Sequence, residues 1–155
     1  MNWPLSILGG VAVGTGSALL PVVNAEAYAL VFTANQPWML APVIVALAIG
    51  QTAGKLLLFE GARRGSARLG AGSKVAALAE SRWASRIRGA LVRRRTAMPL
   101  MLASASLGLP PLALVSVAAG ASGQRRRTFA GLCLVGRIAR FAAIAVPVAY
   151  ATGIR

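Results

Sequence analysis

Long apolar stretches, separated by polar or basic connections, make up most of this chain. Two of the four stretches are unbroken and contain about 20 residues, the length that a helix needs to cross the hydrocarbon of a bilayer. The other two are interrupted near their middle by proline and polar residues. The pattern predicts an all-α integral membrane protein. The stretches are residues 5–32 (broken), 38–59, 97–119 (broken) and 129–151.

The interruptions predict helical hairpins. Pro21, Asn24 and Glu26 break the first stretch, and Gly108-Leu109-Pro110-Pro111 breaks the third. Proline cannot continue a helix and restricts the residue before it. Each arm of about 10 residues rises about 15 Å, half of the bilayer, which fits a re-entrant hairpin that returns to its own side. Full spanning by the broken segments is the alternative that the pattern leaves open.

The distribution of basic residues orients the chain. Of the 17 Lys and Arg residues, none lies in residues 1–54 and ten lie in residues 61–98. Because cytoplasmic connections collect Lys and Arg, we expect residues 61–96 to be cytoplasmic. If residues 97–119 crossed the bilayer, the triplet Arg125-Arg126-Arg127 would face the other side. The charge pattern therefore favours a re-entrant third stretch.

The basic connection has two parts. Gly61–Ser73 is rich in Gly, Ala, Ser and Arg and is predicted to be irregular. Helix formers dominate Lys74–Arg95, where Ile87 and Leu91 belong to an apolar stripe near helical spacing. Two alternatives remain for this second part. It is either an interfacial helix anchored by Trp83 or a solvated basic loop held near anionic headgroups.

The composition excludes most enzyme chemistry. The chain has no Asp and no His, and its only acids are Glu26, Glu60 and Glu80. No Ser-His-Asp triad, Cys-His pair or His-containing zinc site can form within it, so we expect no enzyme, no metal and no cofactor. Cys133 is the only cysteine and lies in an apolar run, where we expect it to pack against lipid or another helix. The start of the chain lacks a basic region, so a cleavable signal is not predicted.

The order of the segments suggests an inverted repeat. A broken stretch followed by a spanning helix occurs twice, on either side of the basic connection. In such folds discontinuous helices meet near the midplane and form a polar site. The predicted layout is one transmembrane domain with a broken segment at 1–36, a transmembrane helix at 37–60, the basic connection at 61–96, a broken segment at 97–120 and a transmembrane helix at 129–151.

Several short motifs resemble one family of membrane proteins. The motifs, in chain order, are Leu20-Pro21-Val22-Val23-Asn24-Ala25-Glu26, Gly50-x-x-x-Gly54 followed by Gly61-x-x-x-Gly65, Ala118-Ala119-Gly120 followed by Phe129, and Val135-Gly136-Arg137-x-x-Arg140-Phe141. In order and spacing they resemble the DedA family, also called SNARE-associated or VTT-domain proteins, and its small YqaA-like branch. The resemblance covers most of residues 18–151.

This resemblance implies two facing re-entrant hairpins and a role in moving lipids between leaflets. Members are thought to translocate polyprenyl phosphates or to scramble phospholipids, with proton coupling in bacteria, so a multi-pass bacterial inner-membrane protein is expected. Many members carry an Arg or Asp beside the proline of the second hairpin. Here that stretch reads Ser104-Ala105-Ser106-Leu107-Gly108-Leu109-Pro110 and has no ionisable residue. The resemblance therefore does not imply a proton relay through this hairpin.

Glu26 is the sharpest candidate for a functional residue. A carboxylate in an apolar stretch is costly, about 2.5–3.5 kcal/mol for a comparable Asp near a helix centre, so such residues tend to face a cavity or a partner. The alternative is solvation at the headgroup boundary. Asn24 is either a hydrogen-bonding neighbour of Glu26 or a local cap for a helix that begins near Ala25.

Basic residues inside the apolar stretches are further candidates for a substrate path. Arg137 and Arg140 are three residues apart and share a helix face, where they either pair with Glu26, bind a lipid phosphate or snorkel to the interface. Lys55 either lines the cavity or snorkels to the nearby helix end. Predicted contacts to anionic lipid are Arg93, Arg94, Arg95, Arg125, Arg126 and Arg127.

These residues support two functions from different classes. The first is a lipid translocase or scramblase in which Glu26, Asn24, Arg137 and Arg140 form a polar path for a headgroup. The alternative is a non-transporting membrane scaffold that binds a partner or anionic lipid through its basic loop. The predicted partners are membrane lipids, especially anionic ones, and a homo-oligomer is possible. Gly14, Gly50 and Gly54 are among the glycines that permit close helix approach. The net charge of +14 does not indicate nucleic acid, because no recognition fold surrounds the arginines.

Overall fold

The computed structural model describes residues 3–19, 24–65 and 82–151. Of these residues 91% are helical and none lies in a strand, which confirms the all-α class. The predicted break at Pro21 and residues 66–81 of the basic connection, including Lys74 and Glu80, lie outside the described residues. The helices are α1 (Trp3–Leu19), α2 (Ala25–Asn35), α3 (Leu40–Gly65), α4 (Arg82–Val92), α5 (Arg94–Leu107), α6 (Leu112–Ala121) and α7 (Arg126–Ala151), with a 3-10 turn at Pro37–Met39 before α3.

Helices α3 and α7 are long and apolar enough to cross a membrane. Each has 26 residues and is therefore about 39 Å long. Helix α3 continues to Gly65, so the prediction that Gly61–Ser73 is irregular is wrong for its first five residues. Ala62 and Arg63 are good helix formers, and Arg64 lies 3.7 Å from Glu60 one turn earlier, so a single glycine does not end the helix.

The two broken apolar stretches each form a pair of helices. The first stretch gives α1 and α2, which pack against each other, and the third gives α5 and α6, which do the same. Gly108 ends α5 in the left-handed conformation, with φ of 81°. The Ser104 hydroxyl donates a hydrogen bond of 2.6 Å to the Pro110 carbonyl and ties α5 to the break. The predicted interruption at Gly108–Pro111 is confirmed, and its re-entrant character stays a prediction.

The chain divides into two compact units. Unit 1 comprises Met1–Gly54 with Arg137–Arg155, and unit 2 comprises Lys55–Gly136. Each unit therefore contains one of the broken stretches together with a part of α3 and a part of α7.

In unit 1, small residues bring α1 and α3 into backbone contact. A methyl group at Gly14 would lie 2.5 Å from the backbone oxygen of Leu47. A methyl group at Gly50 would collide with the backbone oxygen of Val11, and one at Gly54 would lie 2.5 Å from the Ala18 side chain. Only glycine fits at such separations, so the predicted close approach is confirmed at these positions.

Unit 2 has an apolar core centred on two aromatic rings. Phe59 and Phe129 stack with ring centroids 4.9 Å apart. Cys133 is 2% exposed and belongs to the same core, which confirms that it packs against other helices.

Helix α4 packs into that core through Ile87 and Leu91, which are 4% and 0% exposed. The solvated-loop alternative is therefore wrong for residues 82–92, which form a helix whose Ile87 and Leu91 face the neighbouring helices α5 and α6. The position of this helix at the membrane interface stays a prediction. The side chain of Trp83, the predicted anchor, lies outside the described residues.

Candidate functional site

An ion pair in unit 1 joins the start of α2 to the interior of α7. The Arg140 Nε donates to Glu26 Oε1 at 2.7 Å, and Arg140 Nη2 lies 2.6 Å from the same oxygen. The structure therefore contains one of the arrangements that the sequence left open for Arg140. Such short charge-assisted contacts are among the stronger hydrogen bonds in proteins.

The local sequence explains why Glu26 lies where it does. Helix α2 begins at Ala25, and Glu26 falls in its first turn, where the helix dipole favours a negative charge. The Asn24 side-chain oxygen accepts hydrogen bonds from the backbone N–H groups of Glu26 (3.0 Å) and Ala27 (3.1 Å). Asn24 is therefore the helix cap, the second of its two predicted roles.

Arg140 occupies an unusual position for a charged residue. It lies near the middle of α7, a helix that is otherwise apolar for most of its length. A charged residue at the centre of such a helix is expensive in a bilayer unless it has a partner or faces water. Glu26 supplies that partner.

The pair is only partly covered by protein. The side chains of Arg140 and Glu26 are 25% and 37% exposed. Both groups can therefore be reached from outside the protein, and in water the pair contributes little to stability. In a low-dielectric surrounding the same contact is much stronger, because the attraction is less screened. Arg137 lies one turn before Arg140 and is half-buried.

A group of polar side chains lies between α1 and α3, also in unit 1. The Gln51 side-chain nitrogen donates to the Ser17 hydroxyl at 2.8 Å, and the Thr15 hydroxyl donates to the backbone oxygen of Val11 at 2.9 Å. Gln51 and Thr52 are each 7% exposed. Within the described part of the chain, Gln51 Oε1 and the Thr52 hydroxyl are buried without a hydrogen-bond partner.

Buried polar groups of this kind normally bind another group or an ordered water. The sequence interpretation gave no role to Ser17 or Thr52. The signal was present in the sequence, because Ser17, Gln51 and Thr52 are polar residues inside apolar stretches. The sequence does not show that α1 packs against α3, so it does not show that these polar residues meet.

Lys55 lies in unit 2 and is buried, with 8% of its surface exposed. Snorkelling requires an ammonium group that extends along the helix surface to the interface, and this burial contradicts it. Whether Lys55 lines a substrate path stays a prediction.

The predicted lipid-contacting arginines are at the surface of unit 2. Arg93, Arg95, Arg125 and Arg127 are exposed, and the side chain of Arg94 lies outside the described residues. Arg126 is also exposed, and its Nε lies 3.7 Å from the carboxylate of Glu60, which is shared with Arg64.

Comparisons of the chain with protein-family models, with curated proteins and with solved structures find no match.

Proposed function

We propose that this chain is an integral membrane protein of the DedA type that moves an anionic lipid headgroup, on a phospholipid or a polyprenyl phosphate, between leaflets. The observation that carries the proposal is the Glu26–Arg140 pair. The carboxylate of Glu26 lies beside the break of the first apolar stretch. It contacts the guanidinium of Arg140, near the middle of a helix that is long enough to span a membrane. Ionisable residues at such depth usually mark a path for a polar substrate.

Two features of the surface support a membrane location. Only 28% of the most apolar window of α7 is buried within the protein, so most of that window needs an apolar surrounding. Large apolar side chains on other helices are also exposed, among them Leu8 (64%), Val31 (64%) and Leu57 (60%). Such extensive apolar exposure is typical of surfaces that face lipid.

The chemistry of the pair suggests how a headgroup would pass. A guanidinium binds a phosphate by the same forked hydrogen bonds with which it binds a carboxylate. An entering phosphate would take the place of Glu26 at Arg140, and Glu26 would return when the headgroup leaves. The carboxylate thus neutralises Arg140 between passages, and no covalent step is needed.

The composition of the two units supports an inverted repeat. Each unit combines one broken stretch with parts of both long helices. In transporters of this kind the broken helices supply polar groups near the midplane. The partnerless Gln51 and Thr52 oxygens of unit 1 would serve a passing headgroup, or water that accompanies it, as additional donors or acceptors.

The proposal is tested by following lipid movement in sealed vesicles that contain the purified protein. Fluorescent anionic phospholipid and a fluorescent polyprenyl phosphate are followed between leaflets, with protein-free vesicles as the baseline. We expect movement of at least one lipid that is lost in Glu26→Gln and kept in the matched variant Glu60→Gln, whose carboxylate lies 3.7 Å from two exposed arginines. Equal movement in both variants would contradict the role of the pair.

The exposed arginines favour the scaffold as a second candidate function. Arg93, Arg95, Arg125 and Arg127 are all accessible to anionic lipid or to an acidic partner. A scaffold would show no lipid movement in folded protein, and Glu26→Gln would leave its binding unchanged. Replacement of these arginines by glutamine would abolish binding instead.

A further inference from the structure

A cavity in unit 2 lies beside the break between α5 and α6. Its volume is about 710 Å³, within the range of small-molecule sites. Leu109, Pro110 and Pro111 of the break form one side, and Leu100 and Leu114 come from the helices before and after it. Helix α4 contributes the remaining side, and among the described lining residues all except one are apolar.

The exception is Arg86 on α4, which is exposed. Helix α4 runs alongside α6, because the Gln124 side-chain nitrogen, just after α6, donates at 2.7 Å to the backbone oxygen of Leu91 near the end of α4. Arg86 lies near the middle of α4 and lines the same cavity as Leu109, Pro110 and Pro111, which places it beside the break. If this hairpin dips into the bilayer, Arg86 enters with it.

An arginine at that level needs an anionic partner. At the first break the partner is a protein carboxylate, since Glu26 binds Arg140. At the second break the described acids are engaged elsewhere: Glu26 in unit 1 and Glu60 with Arg64 and Arg126. Glu80 lies outside the described residues.

We propose that this cavity binds an anionic phospholipid, with an acyl chain against the apolar wall and the phosphate paired with Arg86. The wall matches a hydrocarbon chain, and the Arg86 guanidinium at its edge matches a phosphate. The inference rests on the membrane location proposed above and not on lipid movement. The lipid of this site is held as part of unit 2, whereas the Glu26–Arg140 pair belongs to unit 1.

The test measures phospholipid retained by the intact protein in uncharged detergent, by native mass spectrometry. Phosphatidylglycerol and phosphatidylcholine are offered together, and oleate is offered in a separate sample. We expect one phosphatidylglycerol to be retained, and Arg86→Gln to weaken its binding about tenfold, because a charge-assisted hydrogen bond is lost. The matched control is Arg63→Gln, which removes an exposed arginine that does not line the cavity.

A second variant tests the cavity itself. Ala90 lines it from α4, and Ala90→Phe fills part of the space without removing a charge, so both lipids should bind less. Thermal unfolding in detergent confirms that each variant is folded. Equal losses in Arg86→Gln and Arg63→Gln would overturn the proposal, as would full retention in Arg86→Gln and Ala90→Phe. Oleate binding without phosphatidylglycerol binding would overturn the assignment to a phospholipid, and loss in Glu80→Gln alone would show that the carboxylate is the partner.

Discussion

At the scale of single residues, Asn24 has a structural role that can be tested apart from a role in the lipid path. Its side chain caps α2 through two backbone N–H groups, at 3.0 and 3.1 Å. Asn24→Ala should lower the free energy of unfolding by about 1 kcal/mol, and Asn24→Ser should restore most of it, because serine is also a good cap. Thermal unfolding in detergent measures both. Lipid movement should persist in Asn24→Ser, and its loss at unchanged stability would place Asn24 in the path.

The residues of the site were predictable to different degrees. Glu26 and Arg140 stand out in the sequence because charges inside apolar stretches are rare. Their pairing could not be derived, since 114 positions separate them along the chain. The buried contact of Gln51 with Ser17 depends in the same way on the packing of two distant segments. Sequence shows which residues are out of place, and only the fold shows what they contact.

At the scale of helices, the contact between α1 and α3 depends on glycine. Gly50→Ala places a methyl group against the backbone oxygen of Val11, and overpacking of this kind costs about 1–3 kcal/mol. The matched control is Gly61→Ala in the same helix, where nothing lies within 4 Å of the added methyl group. Thermal unfolding in detergent should show a lower transition temperature for Gly50→Ala and an equal or higher one for Gly61→Ala. Equal stability of the two variants would contradict the close packing.

The extent of the helices was predicted well where apolar length decides it. Both long helices and the break at Gly108–Pro111 follow from hydrophobic runs and from Gly and Pro. The errors lie in the basic connection, where composition misleads. Gly61 and Gly65 suggested irregular structure, yet the intervening residues favour helix. The basic residues around Ile87 and Leu91 left a solvated loop open, yet the segment is a helix, and those two side chains are buried in the core of unit 2.

At the scale of the whole molecule, the topology can be mapped with single cysteines. Cys133 is the only thiol and is buried, so Cys133→Ala gives a cysteine-free background. Arg64→Cys and Arg125→Cys place a thiol at exposed positions before and after the second broken stretch, and Tyr150→Cys places one near the end of α7. A membrane-impermeant maleimide reports the side of each thiol.

A re-entrant stretch predicts that the first two positions label from the same side and that Tyr150→Cys labels from the other. Labelling after detergent addition is the control for reactivity. Labelling of Arg64→Cys and Arg125→Cys from opposite sides would show that residues 97–120 span. That result would also contradict the inverted repeat, which the order of the segments in the sequence suggests.

The most direct test of the Glu26–Arg140 pair is a double-mutant cycle, measured as the initial rate of lipid movement in sealed vesicles. We predict that Glu26→Gln and Arg140→Gln each slow lipid movement by about tenfold or more, because each removes one side of a charge-assisted contact. The double variant should be no slower than the slower single variant, since the two residues act as one unit. Wild-type rates in either single variant, with the protein folded, would contradict it.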